Sequence, residues 1–303
     1  MTRILVTGAA GNVGRTVTSL LADNPDVRVR ALVRDAIASA SSLPPTAELA
    51  VGDFTDPDAL DAALDGVDAV YLACGNVVGQ VDHECTVIDR AAAAGVRRLV
   101  KLSARGAEIG SPVAFWHWHG LIEAHLTASG IPSVVLRPSF LMTNLLAVAD
   151  AVREHGLVIA PAAHARISMV DPRDVAAVAA AVLAEAGYEG GPEGRTHVVT
   201  GPSAISYDVV AASLADVLGR DVAYLDISPD EARRSLLGQG LPPFVVDQLD
   251  AVFTALRRGD QQTTTDVVEA VTGRLPRSFR EFAGDHVVAF TARESGVFAT
   301  GMR

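Results

Sequence analysis

The 303 residues carry 25 basic and 36 acidic side chains, a formal net charge of −11, and 49% of them are hydrophobic. That balance supports a sizeable core and excludes wholesale disorder. No basic cluster exceeds a pair (Arg97–Arg98, Arg233–Arg234, Arg257–Arg258), so neither a nucleic acid nor an anionic surface is an expected partner.

In chain order, apolar runs alternate with helical periods, the pattern of a parallel sheet covered by helices. Strands are predicted over Arg3–Thr7, Val27–Val33, Ala47–Val51, Val67–Ala73, Arg98–Ser103 and Ser133–Leu136. Between them Val13, Val17, Leu20 and Leu21, and then Val81, Cys85, Ile88 and Ala92, recur at helical spacing. Asp56 and Asp58 open a further helix that Gly66 closes. After Pro138 the rhythm changes: a helix is expected over Asn144–Arg153, a strand over Ile167–Val170 and a helix over Pro172–Ala186. Asp171-Pro172-Arg173-Asp174 reads as the start of that helix rather than as a site. A strand over Thr196–Thr200 rejoins the main sheet, and beyond it helices dominate around one strand, Val222–Asp226.

The expected architecture is α/β, a Rossmann-type doubly wound parallel sheet over residues 1–156, completed by roughly 170–200. A smaller, mainly helical C-terminal substrate lobe covers 201–290, and a loosely held tail runs from 291 to 303. Cys74 and Cys85 are too few for a disulfide framework. The longest apolar stretch, Val175–Ala184, is far too short to cross a bilayer, and the sequence opens directly into a strand, so a cytoplasmic protein is expected.

Thr7-Gly8-Ala9-Ala10-Gly11-Asn12-Val13-Gly14 forms a G-x-x-G-x-x-G loop between a buried strand and a periodic helix. Gly8 permits the tight turn, Gly11 lets backbone approach a pyrophosphate, and Gly14 lets helix and strand pack closely. The N–H groups of the helix start then face the anion. Thr7, Gly8, Ala10, Gly11, Asn12 and Val13 are accordingly assigned to a nicotinamide dinucleotide. The second strand ends at Arg34, where NAD-binding proteins place an acid for the ribose. A guanidinium there suits a 2′-phosphate, which favours NADPH/NADP+ over NAD(H). The alternative, in which Asp35 takes the ribose, stays open. Asp53 and Phe54 at the third strand end are expected to frame the adenine. Ala73, Cys74 and Gly75 at the fourth are expected to let the nucleotide lie close.

The loop Thr7–Gly14, Arg34-Asp35, Gly52-Asp53, Leu102-Ser103-Ala104, and Ser129-Gly130-Ile131-Pro132 leading to Leu136-Arg137-Pro138 and Asn144 together resemble the NmrA-like family. These are atypical members of the short-chain dehydrogenase/reductase superfamily, and the resemblance runs to about Gly284. It implies an NADPH-dependent enzyme of the quinone, azo or aromatic natural-product reductase type, or a non-catalytic NADP sensor that binds a transcription factor. It also implies that Pro138 and Phe140 lie beside the nicotinamide and that Ser103, just past the fifth strand, stands at the superfamily's serine position.

The superfamily's Tyr-x-x-x-Lys dyad is absent. Tyr71, Tyr188, Tyr207 and Tyr224 are followed four residues later by Gly75, Pro192, Ala211 and Ser228, and Lys101, the single lysine, belongs to a strand. At the equivalent helix stand Phe115-Trp116-His117-Trp118-His119-Gly120-Leu121-Ile122-Glu123. His119 and Glu123 share the i, i+4 spacing, and a similar His-x-x-x-Glu occurs in NmrA-like quinone reductases. The expectation is that Glu123 raises the pKa of His119, which then bonds or protonates a substrate oxygen, while Ser103 bonds the substrate carbonyl. The competing reading of the pair is a helix-surface ion pair of little energetic weight.

A weak proton donor suits acceptors whose reduction leaves a delocalised phenolate, with a conjugate acid near pKa ~10. The expected substrate is therefore a small planar aromatic molecule, a quinone or an aromatic, polyketide-like ketone. Trp116, Trp118, Phe140 and Met142 are candidates for its apolar slot, joined by Asn144 through the resemblance. Arg137 reads as structural, and the remaining histidines form no metal-ligand spacing, so no metal is expected.

Overall fold

The computed structural model describes residues 1–185 and 195–291. From the amino terminus the elements are β1 (Thr2–Val6), α1 (Asn12–Ala22), β2 (Val27–Val33), α2 (Ala36–Ala40), β3 (Glu48–Val51), α3 (Pro57–Leu64) and β4 (Ala69–Leu72). Then come α4 (Gln80–Ala93), β5 (Arg98–Leu102), α5 (Ala114–Ser129) and β6 (Ser133–Pro138). A 3₁₀ segment (Met142–Val148) leads into α6 (Ala149–His155), β7 (Leu157–Ala160), α7 (Pro172–Ala184) and β8 (Arg195–Val199). The remaining described elements are α8 (Tyr207–Leu218), β9 (Ala223–Asp226), α9 (Pro229–Gly238), α10 (Pro243–Arg258), α11 (Val267–Thr272), α12 (Phe279–Asp285) and α13 (Val287–Thr291).

Seven strands form one parallel sheet in the order β3-β2-β1-β4-β5-β6-β8. The order reverses between β1 and β4, which opens a crevice at their carboxyl ends where ligands of such sheets bind. Side chains alternate across the strands. Ile4, Val6, Tyr71, Val100 and Val134 build one core with residues of α1 and α7. Leu5, Val70, Leu72, Leu99 and Val135 build another with residues of α3, α4 and α5. Helix starts follow the acidic and proline signals: Asp56 accepts from Ala59 N–H at α3, and Asp171 accepts from Arg173 N–H ahead of Pro172 at α7.

A third core joins the 3₁₀ segment, α6 and β7 to α8, α12 and α13 through Met142, Leu145, Val152, Val158, Tyr207, Leu214, Phe279, Phe282 and Phe290. The second lobe is thus built from two stretches of chain, with residues 142–169 packing in its core beside 207–290. Spacing alone places 142–156 with the Rossmann unit, because its apolar residues do not reveal which core they enter.

Other expectations shift locally. Asn144–Arg153 divides into the 3₁₀ segment and α6. Strand β7, unforeseen, pairs in parallel with β9 in a two-stranded sheet. Ile167–Val170 is not a strand: Val170 bridges Leu141 and Ile167 bridges Ile205, one residue each. Its amides are satisfied piecemeal, Ser168 N–H by the Gln261 carbonyl and Val170 N–H by that of Phe140, so no ladder forms. Ala186, the expected last residue of α7, Tyr188 and the tail from 292 to 303 lie outside the described residues. No helix among the described residues is long and apolar enough to cross a membrane.

Candidate cofactor and substrate site

The phosphate loop leaves β1 at Thr7. Its side chain is wholly buried, donating to the carbonyls of Tyr71 (3.2 Å) and Ala73 (3.1 Å) and accepting from Ala73 N–H (2.9 Å). Thr7 therefore shapes the loop by tying β1 to β4, its hydroxyl engaged within the protein. Gly8 adopts φ +59°, and a Cβ there would stand 2.8 Å from the Ala73 carbonyl oxygen. A Cβ on Gly14 would lie 2.2 Å from the Gly8 carbonyl oxygen, so only glycine lets the helix sit down on the loop. Ala10, Gly11 and Asn12 are exposed, whereas the Val13 side chain is buried in the core. The N–H groups of Asn12, Val13 and Gly14 meet no acceptor among the described residues, and no side chain caps α1. An uncapped helix start over a glycine cradle fits a pyrophosphate.

Arg34 is exposed at the end of β2. Asp35 is occupied locally: its Oδ1 accepts from Ile37 N–H (2.9 Å) and Ala38 N–H (3.1 Å), capping α2. Across the crevice Asp53 Oδ1 accepts from Thr55 N–H and Oγ1 at 3.0 and 2.9 Å. The Thr55 backbone bond, with His83 and Arg34 nearby, holds the Asp53 carboxyl below its ordinary range despite partial burial. Phe54 is half-buried with its ring 6.1 Å from that of His83, so Arg34, Asp53, Phe54 and His83 converge at one end of the crevice. Ala73 is buried, Cys74 half-buried and Gly75 exposed along the other wall. Burial and the nearby Glu84 push the Cys74 thiol up to about 11, so at this position it acts as a small apolar group.

The catalytic expectations change most. Glu123 does not face His119. Its carboxylate is held by Arg137, Nε to Oε1 at 3.1 Å and Nη2 to Oε2 at 2.5 Å, and it accepts the Ser103 hydroxyl. Ser103 is buried with its proton committed to Glu123, so it does not donate to a substrate carbonyl in this arrangement. His119 is buried as well, and its Nδ1 lies 3.3 Å from Lys101 Nζ. Burial first, then the positive charges of Lys101 and Arg137, hold His119 well below its usual pKa. The expected upward shift from Glu123 is overturned because the nearest charges are cations.

Of the expected substrate residues, Met142 is 1% exposed in the second lobe's core and cannot line a slot. Phe140 is half-buried against that core, and Asn144 is exposed. Pro138 is buried, its carbonyl accepting from Arg105 N–H at 2.9 Å. Trp116 covers Gly106, whose φ of +100° and 2.7 Å clearance from the indole leave no room for a Cβ. Trp118 stacks on Phe244 of α10 with centroids 6.0 Å apart and meets Phe115 edge-on at 5.4 Å. Gln248 fastens α10 to α5 by accepting from Ala114 N–H at 2.5 Å.

Sequence reading missed Lys101 and Glu84, a wholly buried ion pair with 2.6 Å between Nζ and Oε2. A lone lysine inside an apolar central strand was the available signal, because such a charge must find a partner. A polar knot also went unseen. Arg105 donates to Ser168 Oγ (3.0 Å), Ser168 to the Gln261 carbonyl (2.9 Å), and Gln261 Nε2 to the Arg105 carbonyl (2.9 Å), tying the β5 loop to the second lobe. No group of three or more His, Cys, Asp or Glu among the described residues is placed to hold a metal.

Sheet order, glycine cradle and uncapped α1 define a dinucleotide-binding α/β protein. Residues 8–186 match the family described as NAD(P)H-binding, and the chain belongs to that family, in the NmrA-like branch of the atypical short-chain dehydrogenases/reductases. It is 36% identical to an NAD(P)H azoreductase of Xenophilus azovorans over 95% of this chain and 99% of that one. It is 38% identical to a (4-alkanoyl-5-oxo-2,5-dihydrofuran-3-yl)methyl phosphate reductase of Streptomyces griseus subsp. griseus, over the same shares. Its fold is similar to that of an NADPH-dependent quinone oxidoreductase from Escherichia coli solved with NADPH, with TM-score 0.84, 29% identity, and 94% and 99% of the two chains covered.

Proposed function

We propose that this chain is an NADPH-dependent reductase of planar conjugated acceptors, quinones and aromatic ketones foremost. The observation that carries the reading is the uncapped start of α1 seated on Gly8, with Asn12, Val13 and Gly14 N–H groups free for the pyrophosphate. Arg34 is the group for a 2′-phosphate, and the two amides that Asp35 accepts disfavour the alternative in which it takes the ribose. The relatives named as an azoreductase and as a quinone oxidoreductase support the same acceptor class.

Bound NADPH supplies the hydride. The chain's residues orient the acceptor and stabilise the charge that develops on it. No tyrosine among the described residues stands as an acid at the crevice: Tyr71 and Tyr207 are buried in cores, and Tyr224 donates to Ala160 and Asp226. Burial pushes the Tyr71 and Tyr207 phenols far above their ordinary value. Such a site suits products that leave as delocalised anions near pKa ~10, because the far more basic alkoxide of an aliphatic ketone is too costly to form without a proton donated as it develops. Trp116, Trp118 and Phe244 present the aromatic surface on which a planar acceptor lies.

The test is NADPH oxidation with naphthoquinones, aromatic polyketide ketones and aliphatic ketones side by side. Turnover of the first two classes, with little of the third, is expected. Tight NADP+ binding without turnover of any acceptor would replace this reading with that of a cofactor-sensing regulator.

A further inference from the structure

Lys101 lies wholly buried near the end of β5. An ammonium has three N–H donors and no lone pair. Three acceptors surround Nζ: Glu84 Oε2 at 2.6 Å, the Leu102 carbonyl at 3.1 Å and His119 Nδ1 at 3.3 Å. The second Glu84 oxygen accepts from Gln80 Nε2 at 2.9 Å, so both carboxylate oxygens are engaged. Facing a group that can only donate, Nδ1 must present its lone pair, and the ring proton resides on Nε2. Nε2 has no partner among the described residues and is not among their fully enclosed unpartnered atoms, so this edge of the ring reaches the surface. The charged groups facing the ring are Lys101 from β5 and Arg137 from β6; Glu123, on the ring's own helix, is held by Arg137 and Ser103.

We propose that Lys101 is a positioning residue that locks His119 as the neutral Nε2–H tautomer, with Glu84 fixing the ammonium, so that the imidazole presents one hydrogen-bond donor to the acceptor oxygen of the substrate. What the donor meets rests on the reductase reading above; the lock itself does not. A neutral imidazole held in one orientation stabilises a growing oxyanion by its N–H dipole without surrendering the proton. The product anion takes its proton from water after release, and His119 and Lys101 end each cycle as they began it.

Nitrogen-15 spectra of histidine side chains in the full chain test the lock directly, the His119 signals being those lost in His119→Phe. The Nε2–H pattern, unchanged between about pH 6 and 8.5, a range on the basic side of an imidazolium held below its usual value, is expected. An Nδ1–H pattern, a tautomer mixture or an imidazolium in that range would overturn it. Lys101→Met alone leaves Glu84 buried without its counter-charge and is expected to fold poorly. The paired variant Lys101→Met/Glu84→Gln removes both charges together. In it the signals should report a tautomer mixture, and turnover of a naphthoquinone should fall about 10-fold, short of the ~10²–10³-fold cost of losing an oxyanion donor outright. Added to His119→Phe, the same two substitutions should change turnover no further; an equal fall there would mean a merely structural role and sink the proposal. A locked tautomer in a protein that reduces no quinone would retire the reductase reading and leave the lock standing.

Discussion

Arg137 of β6 grips Glu123 of α5 through two hydrogen bonds, at 3.1 and 2.5 Å, and turns that carboxylate away from His119 one helical turn earlier. The His-x-x-x-Glu spacing therefore does not form a dyad. It brings two side chains to one face of α5, where each meets a different partner from the sheet.

Glu123→Ala strands the Arg137 guanidinium and the Ser103 hydroxyl in partly buried positions. A cost of about 1.5–3 kcal/mol, the range for hydrogen bonds to a charged group, is expected in urea unfolding with an unchanged m value. An NADPH affinity that stays within about twofold, well under 1 kcal/mol, would place the pair in the scaffold rather than in the cofactor's grip.

Arg34→Ala should weaken NADPH binding roughly 10- to 150-fold, the equivalent of about 1.5–3 kcal/mol, and leave NADH binding nearly unchanged. Fluorescence titration of both nucleotides reads the difference. Equal losses would remove Arg34 from the 2′-phosphate.

Gly14→Ala places a methyl 2.2 Å from the Gly8 carbonyl oxygen, and both partners are backbone-bound. The loop must shift, at a cost of about 1–3 kcal/mol. Thermal unfolding should show the loss of stability, and NADP+ should restore less of it than it adds to the parent chain.

Acid should destabilise the fold through His119. Its folded pKa lies well below the 6.5 of the unfolded chain. Between the two values the unfolded state binds more protons, so stability rises with pH and is lost as pH falls below about 6.5. The slope from this residue approaches ~1.4 kcal/mol per pH unit. His119→Phe should flatten it in denaturant titrations at successive pH values, and an unaltered slope would contradict the burial of a neutral ring.

Much of this arrangement is written locally in the chain. The loop Thr7–Gly14, the strand tip at Arg34 and the start of α7 at Asp171-Pro172 depend on backbone conformation and short-range spacing, which sequence encodes directly. Ile167–Val170 and Leu157–Ala160 show the boundary. Both are short apolar runs, and only the placement of Ile205 and Gln261, or of β9, decides which becomes a strand. The site residues divide in the same way. Spacing placed His119 and Glu123 on one helix face. Their partners Lys101, Ser103 and Arg137 come from neighbouring strands, with Leu102 beside Leu136, and that register is a property of the folded sheet.

Reduction of a conjugated acceptor by NADPH held on this chain is read out by single-turnover mixing with a naphthoquinone, using NADPH and NADPH deuterated at the transferred position. Oxidation of the bound nucleotide is expected, slowed by a primary isotope effect and abolished when excess NADP+ fills the site. Nucleotide that binds saturably yet stays reduced in the presence of every quinone would contradict it.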